Sequence, residues 1–283
     1  MFITPKDKNY KLIDSGNGLK FEQFGDYNLV RPEPEAIWLP KNQDQWINAD
    51  FTFNKNKEDN WLKSKDVPNS WIMNYGGMDL KIKPTAFKHT GLFPEQLSNW
   101  EYFTNKTKGQ KNLKVLNLFG YTGAFSLLAL KLGHKVTHVD SSQGVNDWLK
   151  ENCELNKIKT TDLKIITDDV MVFIKRLIKR GDKFDWIILD PPAFGHGKGK
   201  ELWKIEKDLP DLINAIGLIM EDKPSGIILN GYSAGYNPES YRNILLPFQE
   251  LYGGQIEADF MSIQETNSDR QLTLGIVARW NTK

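Results

Sequence analysis

The stretch Lys114-Val-Leu-Asn-Leu-Phe-Gly-Tyr-Thr-Gly-Ala-Phe-Ser126 predicts a buried strand, a glycine turn and the start of a helix. Continuous apolar residues are typical of a parallel strand that is covered on both faces. Glycines at 120 and 123 carry no Cβ, so a ligand can approach the backbone there. A second strand, 135–139, ends in Asp140, about 20 positions after the first glycine, where a ribose-binding acid is expected. The stretch therefore indicates a nucleoside site.

Composition bounds the class of protein. A chain of 283 residues with 40% hydrophobic and 26% charged residues suits one large globular domain or two smaller ones. A single cysteine excludes an internal disulfide framework, and four histidines without metal-type spacing predict no metal site. The absence of a long apolar run or a secretory segment predicts a cytoplasmic location and no membrane contact. A net charge of +1 means that any nucleic acid binding would need a local basic surface.

The glycine pattern also limits which nucleoside can bind. A dinucleotide fingerprint needs three glycines to seat a pyrophosphate on the helix N-terminus, and Tyr121 and Thr122 interrupt that pattern with bulk. Two further strands end in acids, at Asp168-Asp169 and at Asp190-Pro-Pro-Ala-Phe194. A pyrophosphate-binding oxidoreductase is therefore disfavoured.

Taken together, these motifs resemble the class I S-adenosylmethionine-dependent methyltransferases, and within them the bacterial ribosomal RNA large-subunit methyltransferases and their relatives. The resemblance covers about residues 90 to 280 well and the first 90 loosely. It is carried by Asn117-Leu-Phe-Gly-Tyr-Thr-Gly-Ala-Phe, Val139-Asp-Ser-Ser-Gln-Gly, Asp168-Asp-Val and Leu189-Asp-Pro-Pro-Ala-Phe, and more weakly by Gly91-Leu-Phe-Pro-Glu-Gln. It implies S-adenosylmethionine as cofactor and structured RNA, ribosomal RNA above all, as substrate.

The predicted fold class is α/β: a seven-stranded, doubly wound, Rossmann-like methyltransferase sheet that ends in an antiparallel hairpin, preceded by a small β-rich domain. We expect the β-rich domain at 1–88, a linker loop and helix at 89–112, and the methyltransferase domain at 113–283. Leu209-Pro210 should interrupt a helix. The predicted strands are 113–118, 135–139, 162–167, 184–189, 225–230, 256–263 and 272–280, with helices near 123–133, 142–156, 169–180, 202–221 and 238–250.

The first 88 residues contain short alternating apolar runs that predict a small antiparallel sheet or half-barrel, and this domain could recognise substrate. Gly16-Asn-Gly18, Gly25-Asp26 and Gly76-Gly77 predict hairpin turns between the runs. Tryptophans 38, 46, 61 and 71 could be core or a stacking platform for unpaired bases. The predicted strands are 10–13, 19–24, 27–30, 36–39, 51–53, 71–74 and 80–83.

The resemblance implies the cofactor contacts. The backbone from Phe119 to Gly123 would face the methionine part, Asp140 would accept from both ribose hydroxyls, and Asp169, or else Asp168, from the adenine amino group. Each acid could instead cap a helix, and Phe93 could instead hold two domains together. The predicted cofactor-binding residues are Phe93, Gln96, Asn117, Phe119, Gly120, Tyr121, Thr122, Gly123, Asp140, Ser141, Asp168, Asp169, Val170 and Asp190.

The segment Asp190-Pro-Pro-Ala-Phe194 is predicted to hold the acceptor, with Asp190, Pro191, Pro192 and Phe194 as the catalytic residues. Its two prolines fix φ and donate no hydrogen bond, so carbonyl oxygens and the Asp190 carboxylate would form a rigid rim of acceptors. The resemblance implies that Phe194 packs on the target base while the rim holds its amino group. The alternative is a stiff structural loop.

Several alternatives stay open at this point. The basic segments 105–114 and His196–Lys200, with Lys198, could contact phosphates or be solvated. The chain could also be a methyltransferase of proteins or small molecules, a nicotinamide-dependent oxidoreductase, or a silent RNA-binding protein.

Carbon methylation of cytosine needs a cysteine at the site, but Cys153 lies inside a predicted helix and Ser233 follows the fifth strand. Methylation at a nitrogen, most simply of a purine, is therefore predicted.

Overall fold

The computed structural model describes residues 1–55, 60–64, 66–196, 202–232 and 235–282. The chain divides into two compact units. The first consists of Met1–Ser98 and Met261–Leu274, and the second of Asn99–Phe260 and Gly275–Lys283. The first unit therefore takes in the loop that we assigned to a linker, and also the tip of the terminal hairpin.

The first unit is built from short strands, as predicted. Its five-stranded sheet has the order β2-β3-β4-β5-β6, with β4 and β5 parallel and the other neighbours antiparallel, while β7 and β8 form a separate hairpin. Short 3₁₀ helices span Gln43–Asn48 and Pro94–Gln96. The strands are β1 Phe2–Ile3, β2 Tyr10–Gly16, β3 Leu19–Phe24, β4 Tyr27–Pro32, β5 Phe51–Phe53, β6 Trp61–Lys63, β7 Trp71–Tyr75 and β8 Met78–Ile82.

The three predicted hairpin turns are confirmed, but the predicted strand at 36–39 is wrong. Those residues form a loop that closes over the β2–β3 turn, where Asn17 N donates to Trp38 O at 2.7 Å and Gly18 N to Ala36 O at 2.9 Å. Prolines at 34 and 40 lack the N–H that a strand would use.

All four tryptophans of the first unit are tied to it by their indole N–H. Trp61 is buried and the other three are partly buried, and indoles removed from water need an acceptor, so these bonds favour the core alternative over the stacking platform. The buried Asp14 carboxylate accepts from Trp46 Nε1 and from the backbone of Ser15, Lys41 and Asn42, which fixes the following segment. The four donations run from Trp38 to Ser15 O at 3.0 Å, Trp46 to Asp14 Oδ2 at 3.1 Å, Trp61 to Thr85 O at 2.7 Å and Trp71 to Phe24 O at 3.0 Å.

The second unit has the predicted alternation of strands and helices. A 3₁₀ turn at Thr160–Asp162 precedes β11. The helices are α1 Leu97–Lys106, α2 Ala124–Lys131, α3 Gln143–Leu155, α4 Val170–Arg180, α5 Ile205–Gly217 and α6 Pro238–Tyr252. The strands are β9 Lys114–Leu118, β10 Lys135–Asp140, β11 Leu163–Thr167, β12 Trp186–Leu189, β13 Phe194–His196, β14 Leu202–Lys204, β15 Gly226–Gly231, β16 Gln255–Gln264 and β17 Gln271–Asn281.

The main sheet has the order β1-β16-β17-β15-β12-β9-β10-β11, with β9 to β12 and β15 parallel and β17 antiparallel to β15. The seven predicted strands and the terminal hairpin are confirmed, and β1 is an additional edge strand that was not predicted. The ends of the hairpin strands fall in the first unit, where β1 pairs in parallel with Met261 and Ser262.

Alternate residues of a strand face opposite sides of the sheet. In this sheet, both sides are covered by helices. Leu116 and Ile187 share a core cluster with Phe173 of α4 and Leu212 of α5. Trp186 faces the other way, and its ring lies 5.2 Å from that of Phe103 in α1. This is the doubly wound arrangement.

The predicted interruption at Leu209-Pro210 is wrong, because α5 continues through Pro210. Asp208 accepts from Lys204 N at 2.7 Å near the start of the helix, and the neighbouring Leu209 and Leu212 are buried in the core. The lost hydrogen bond at one proline is offset by this packing. Within the described residues, none of the helices is both long and apolar enough to cross a membrane.

Replacing Gly226 by alanine tests the packing of the sheet. A Cβ there would lie 2.6 Å from Trp186 Cη2 and 2.6 Å from Trp280 O, both in the core. Such overpacking costs about 1–3 kcal/mol, and Gly226→Ala should lower the free energy of unfolding in urea by that amount. The matched control is Gly144→Ala in α3, whose nearest atom would be Ser142 Oγ at 4.0 Å and which should not destabilise the protein. Equal stability of both variants would contradict this packing.

Candidate functional site

Three parallel strands end at one level of the sheet. Leu118 of β9 pairs with Val139 of β10 and with Leu189 of β12, so the loops that follow these strands emerge along one edge. The chain order reverses between β9 and β12, and open α/β sheets bind ligands at such a switch point. The residues of the second unit that are predicted to bind the cofactor and the methyl acceptor therefore lie along this edge.

The loop after β9 is strained. Phe119 and Tyr121 have φ values of 56° and 51°, in the left-handed region that bulky side chains rarely adopt. Each such residue costs about 1–3 kcal/mol, and strain of this kind concentrates at ligand sites. Gly123, at φ 78°, closes the loop by donating to Gly120 O at 3.0 Å. The conformation supports the prediction that this backbone faces a ligand.

The two glycines of the loop are required for a reason that differs from the predicted one. A Cβ on Gly120 would collide with the ring of His138, and a Cβ on Gly123 would collide with the Leu149 side chain. Glycine is therefore needed at both positions by packing within the protein, whatever approaches the opposite side of the loop.

The carboxylate of Asp140 fastens the loop to β10. Its Oδ2 accepts from Tyr121 N at 3.0 Å and its Oδ1 from Ser142 N at 2.9 Å. Burial raises the pKa of Asp140 despite these two bonds, which favour the charged form. Each oxygen has a second lone pair, so the same carboxylate can also accept from ribose hydroxyls. That contact stays a prediction.

The acids after β11 both have partners inside the protein. Asp169 is the N-cap of α4 and accepts from Val172 N at 3.0 Å, which is the alternative role that we considered for it. Asp168 forms an ion pair with Arg176 and accepts from Asp169 N at 2.9 Å. Asp168 N donates to Asp140 O at 3.2 Å, which holds the two strand ends together. The adenine contact stays a prediction.

The remaining predicted cofactor residues differ in exposure. Ser141 is exposed, while Asn117, Thr122 and Val170 are buried, and the Asn117 amide donates to Ser126 Oγ at 2.9 Å below the loop. Phe93 and Gln96 belong to the first unit, and their contact with the cofactor stays a prediction.

The segment Asp190–Phe194, which is predicted to hold the methyl acceptor, leads into a hairpin. Asp190 N donates to Leu118 O at 3.4 Å, which ties the segment to β9, and β13 then pairs with β14. The Phe194 side chain is 66% exposed, although it is large and apolar. An exposed aromatic ring four residues after the acid at the end of β12 offers a stacking surface for a planar substrate.

Trp203, which the sequence analysis placed in a helix and gave no function, contacts both halves of this edge. Its indole N–H donates to Pro192 O at 2.7 Å, and its ring lies 5.3 Å from that of Phe119. The Pro192 carbonyl therefore holds Trp203 in place, and one of its two lone pairs is used inside the protein. A lone tryptophan in a polar stretch just beyond the proline motif was the available signal.

Some predicted residues lie outside the described part of the chain. These are Lys198 and Lys200 of the basic segment and Ser233, and only the backbone of His196 is described. Cys153 is buried within α3, and burial raises the pKa of its thiol to about 11. In the described part of the chain, no group of three or more His, Cys, Asp or Glu side chains could hold a metal ion.

Comparisons with known proteins agree with this geometry. Residues 36–225 match the family described as S-adenosylmethionine-dependent methyltransferase. A solved S-adenosylmethionine-dependent methyltransferase from Agrobacterium tumefaciens is 36% identical, with a TM-score of 0.92 over 98% of this chain and 92% of that one.

Among curated relatives, ribosomal RNA large subunit methyltransferase I of Aeromonas hydrophila is 31% identical over 200 residues, covering 70% of this chain and 48% of the relative. The protein of the same name from Yersinia pseudotuberculosis is 35% identical over 166 residues, 57% of this chain and 40% of that one. The chain thus spans about half or less of the length of these curated relatives.

Removing the Asp140 carboxylate tests the cofactor half of the site. Asp140→Ala takes away the acceptor of Tyr121 N and the predicted ribose contact, so affinity for S-adenosylmethionine should fall at least tenfold, about 1.4 kcal/mol. Isothermal titration calorimetry measures the change. Asp147→Ala is the control, because that exposed acid pairs only with its α3 neighbours Lys150 and Gln143. Unchanged affinity in a folded Asp140→Ala protein would remove Asp140 from the site.

Proposed function

This chain belongs to the S-adenosylmethionine-dependent methyltransferase family, and we propose that it methylates a base nitrogen in structured, ribosomal RNA. Family membership supports the cofactor. The curated relatives are named for ribosomal RNA, which supports the substrate class. Because the chain spans only about half of those relatives, its own activity and substrate are part of the proposal.

The observation that carries the proposal is the position of Asp190 and Phe194. The Asp190 backbone is tied to the end of β9, which leads directly into the strained loop, and the exposed Phe194 ring follows four residues later. An acid that accepts from an amino group, beside a ring that stacks on a base, can hold an exocyclic or ring nitrogen in a fixed direction. A substrate that would use both the hydrogen bond to the acid and the stacking on the ring is a nucleobase.

The cofactor supplies a methyl group on a sulfonium, which is already activated for displacement. The chain's own residues then have to align the nitrogen lone pair with that methyl carbon and keep the base from rotating. Alignment of this kind is worth up to about 7–11 kcal/mol in model reactions. The Asp190 carboxylate would orient the amine through its N–H, and the proton lost from nitrogen can pass to this carboxylate or to solvent.

A nitrogen target is favoured over cytosine C5. Carbon methylation requires a thiolate to add to the ring first. Cys153 is 1% exposed, and its raised pKa of about 11 keeps it a neutral thiol. A buried, protonated thiol cannot act as that nucleophile.

The alternatives differ in what supports them. A protein or small-molecule substrate agrees with the net charge of +1, whereas an oxidoreductase has no support from the family match. RNA would be contacted through the first unit and the His196–Lys200 segment, which carries three basic side chains. We keep the cytoplasm as the proposed location, because ribosomal RNA is found there.

Methyl transfer to RNA tests the proposal directly. The purified protein is incubated with tritiated S-adenosylmethionine and total RNA from cells that lack it, and the labelled nucleoside is identified after digestion. We expect label in ribosomal RNA on an N-methylated base. Label in protein alone, or 5-methylcytidine as the product, would overturn the substrate or the nitrogen assignment.

The same assay with Cys153→Ser is the control for the chemistry. Direct displacement needs no thiol, so this variant should retain full transfer, apart from any effect of a polar side chain in the core. Loss of transfer with normal binding of S-adenosylmethionine would establish a covalent mechanism instead.

Two substitutions should separate alignment from cofactor binding. Asp190→Ala and Phe194→Ala remove contacts that matter in the transition state, so kcat should fall at least about a hundredfold while affinity for S-adenosylmethionine changes less than about threefold. Trp203→Phe keeps an aromatic ring but removes the N–H that donates to the Pro192 carbonyl, and a smaller loss of kcat is expected. Equal losses of transfer and of cofactor affinity for Asp190→Ala would reassign that residue to the cofactor pocket.

A further inference from the structure

A buried chain of polar side chains runs beneath the strained loop of the second unit. Asn117 Nδ2 lies 2.9 Å from Ser126 Oγ, which lies 2.9 Å from His138 Nδ1. On the far side of the ring, Asn146 Nδ2 lies 2.8 Å from Thr167 Oγ1. Asn117, Ser126, His138 and Asn146 are each at most 3% exposed. Polar groups this deep are costly unless they bond to one another.

The ring of His138 is fixed from one side by a hydrogen bond. Its Nδ1 lies 2.9 Å from Ser126 Oγ. The Asn146 amide donates to Asp140 O, at 3.2 Å, and to Thr167 Oγ1, which holds its side chain in place. The Asn146 side chain favours the protonated form of the His138 ring. Among the described residues, neither His138 Nε2 nor Asn146 Oδ1 has a hydrogen-bond partner.

The ring of His138 also packs directly against the loop that follows β9. It fills the space where a Cβ of Gly120 would lie. The next residue of β10, Val139, accepts from Gly120 N at 3.1 Å, and Asp140 accepts from Tyr121 N. A shift of the ring would therefore move the loop at the point where its backbone is strained.

We propose that His138 is a positioning residue for cofactor binding: hydrogen-bonded to Ser126 and flanked by Asn146, its ring fixes the position of the Gly120 backbone. The proposal rests on the cofactor half of the proposed function and does not depend on RNA. Burial lowers the pKa of His138 to about 4, so the ring stays neutral and keeps these directions at physiological pH.

A second buried histidine of the protein, His134, serves as a matched comparison. His134, just before β10, is also buried, and burial likewise lowers its pKa to about 4. Neither of its ring nitrogens has a hydrogen-bond partner among the described residues. It packs on Phe103 at 5.7 Å and lies at the opposite end of the strand from the loop. A histidine that merely fills the core should behave like His134.

The first test compares affinity for S-adenosylmethionine across variants, by calorimetry in the absence of RNA. His138→Leu should bind at least about tenfold more weakly, because Ser126 loses its partner and the ring no longer supports the Gly120 backbone. His138→Gln, which keeps one donor and one acceptor, should recover most of the affinity, and His134→Leu should bind like the wild type. Amide hydrogen exchange of Tyr121 without cofactor should accelerate in His138→Leu only.

A second test remains informative if His138→Leu fails to fold. Ser126→Ala and Thr167→Val each remove one hydroxyl at opposite ends of the chain, with little change in shape. If the ring transmits their effects, the loss of affinity in the double variant should differ from the product of the single losses by at least about threefold. In a His138→Gln background this coupling should shrink.

The outcomes are distinguishable. Wild-type affinity in folded His138→Leu, or independent effects of Ser126→Ala and Thr167→Val, would overturn the positioning role. An equal loss in His134→Leu would make the effect one of general stability and would also overturn it. A wild-type protein that does not bind S-adenosylmethionine would instead overturn the cofactor half of the proposed function.

Discussion

The site depends on the attachment of the loop after β9 to the end of β10. Two non-glycine residues of that loop, Phe119 and Tyr121, have positive φ, and their strain must be offset by contacts that only this conformation makes. Asp140 supplies one such contact to Tyr121 N, and the β10 backbone supplies another to Gly120 N. A charged acceptor forms stronger hydrogen bonds than a neutral one, so the carboxylate dominates this attachment.

The Asp190–Phe194 segment is connected to the loop after β9 through the indole of Trp203. Trp203 donates to Pro192 O and contacts the ring of Phe119, so the proline segment and the strained loop share a side chain. Methyl transfer by displacement is sensitive to small errors in alignment. A shared rigid contact limits the relative movement of the two loops, and it explains why a tryptophan outside the recognised motif lies at this edge.

Buried polar groups specify the conformation in both units. In the first unit, Arg31 forms two bonds, of 2.7 and 2.9 Å, with the buried Glu22. Burial opposes ionisation of Glu22, but Arg31 and Lys20 more than offset it, so its pKa is lowered. In the second unit the neutral chain through His138 has the corresponding role beneath the loop. Such groups are costly to bury, and they tolerate only arrangements in which every partner is present.

Sequence alone determined the fold class, the order of the main-sheet strands and their helices after residue 113, the hairpin turns and the strand-end acids, because these depend on local periodicity and on glycine. It missed the β13–β14 hairpin, whose residues 202–204 were predicted to be helical. It could not determine why Gly120 is glycine, since the atoms that forbid a Cβ come from His138, on the neighbouring strand. It could not foresee that the 36–39 run is a loop, nor that Trp203 engages Pro192. Those facts follow from hydrogen bonds and packing between residues distant in the chain, which exist only once the tertiary structure has formed.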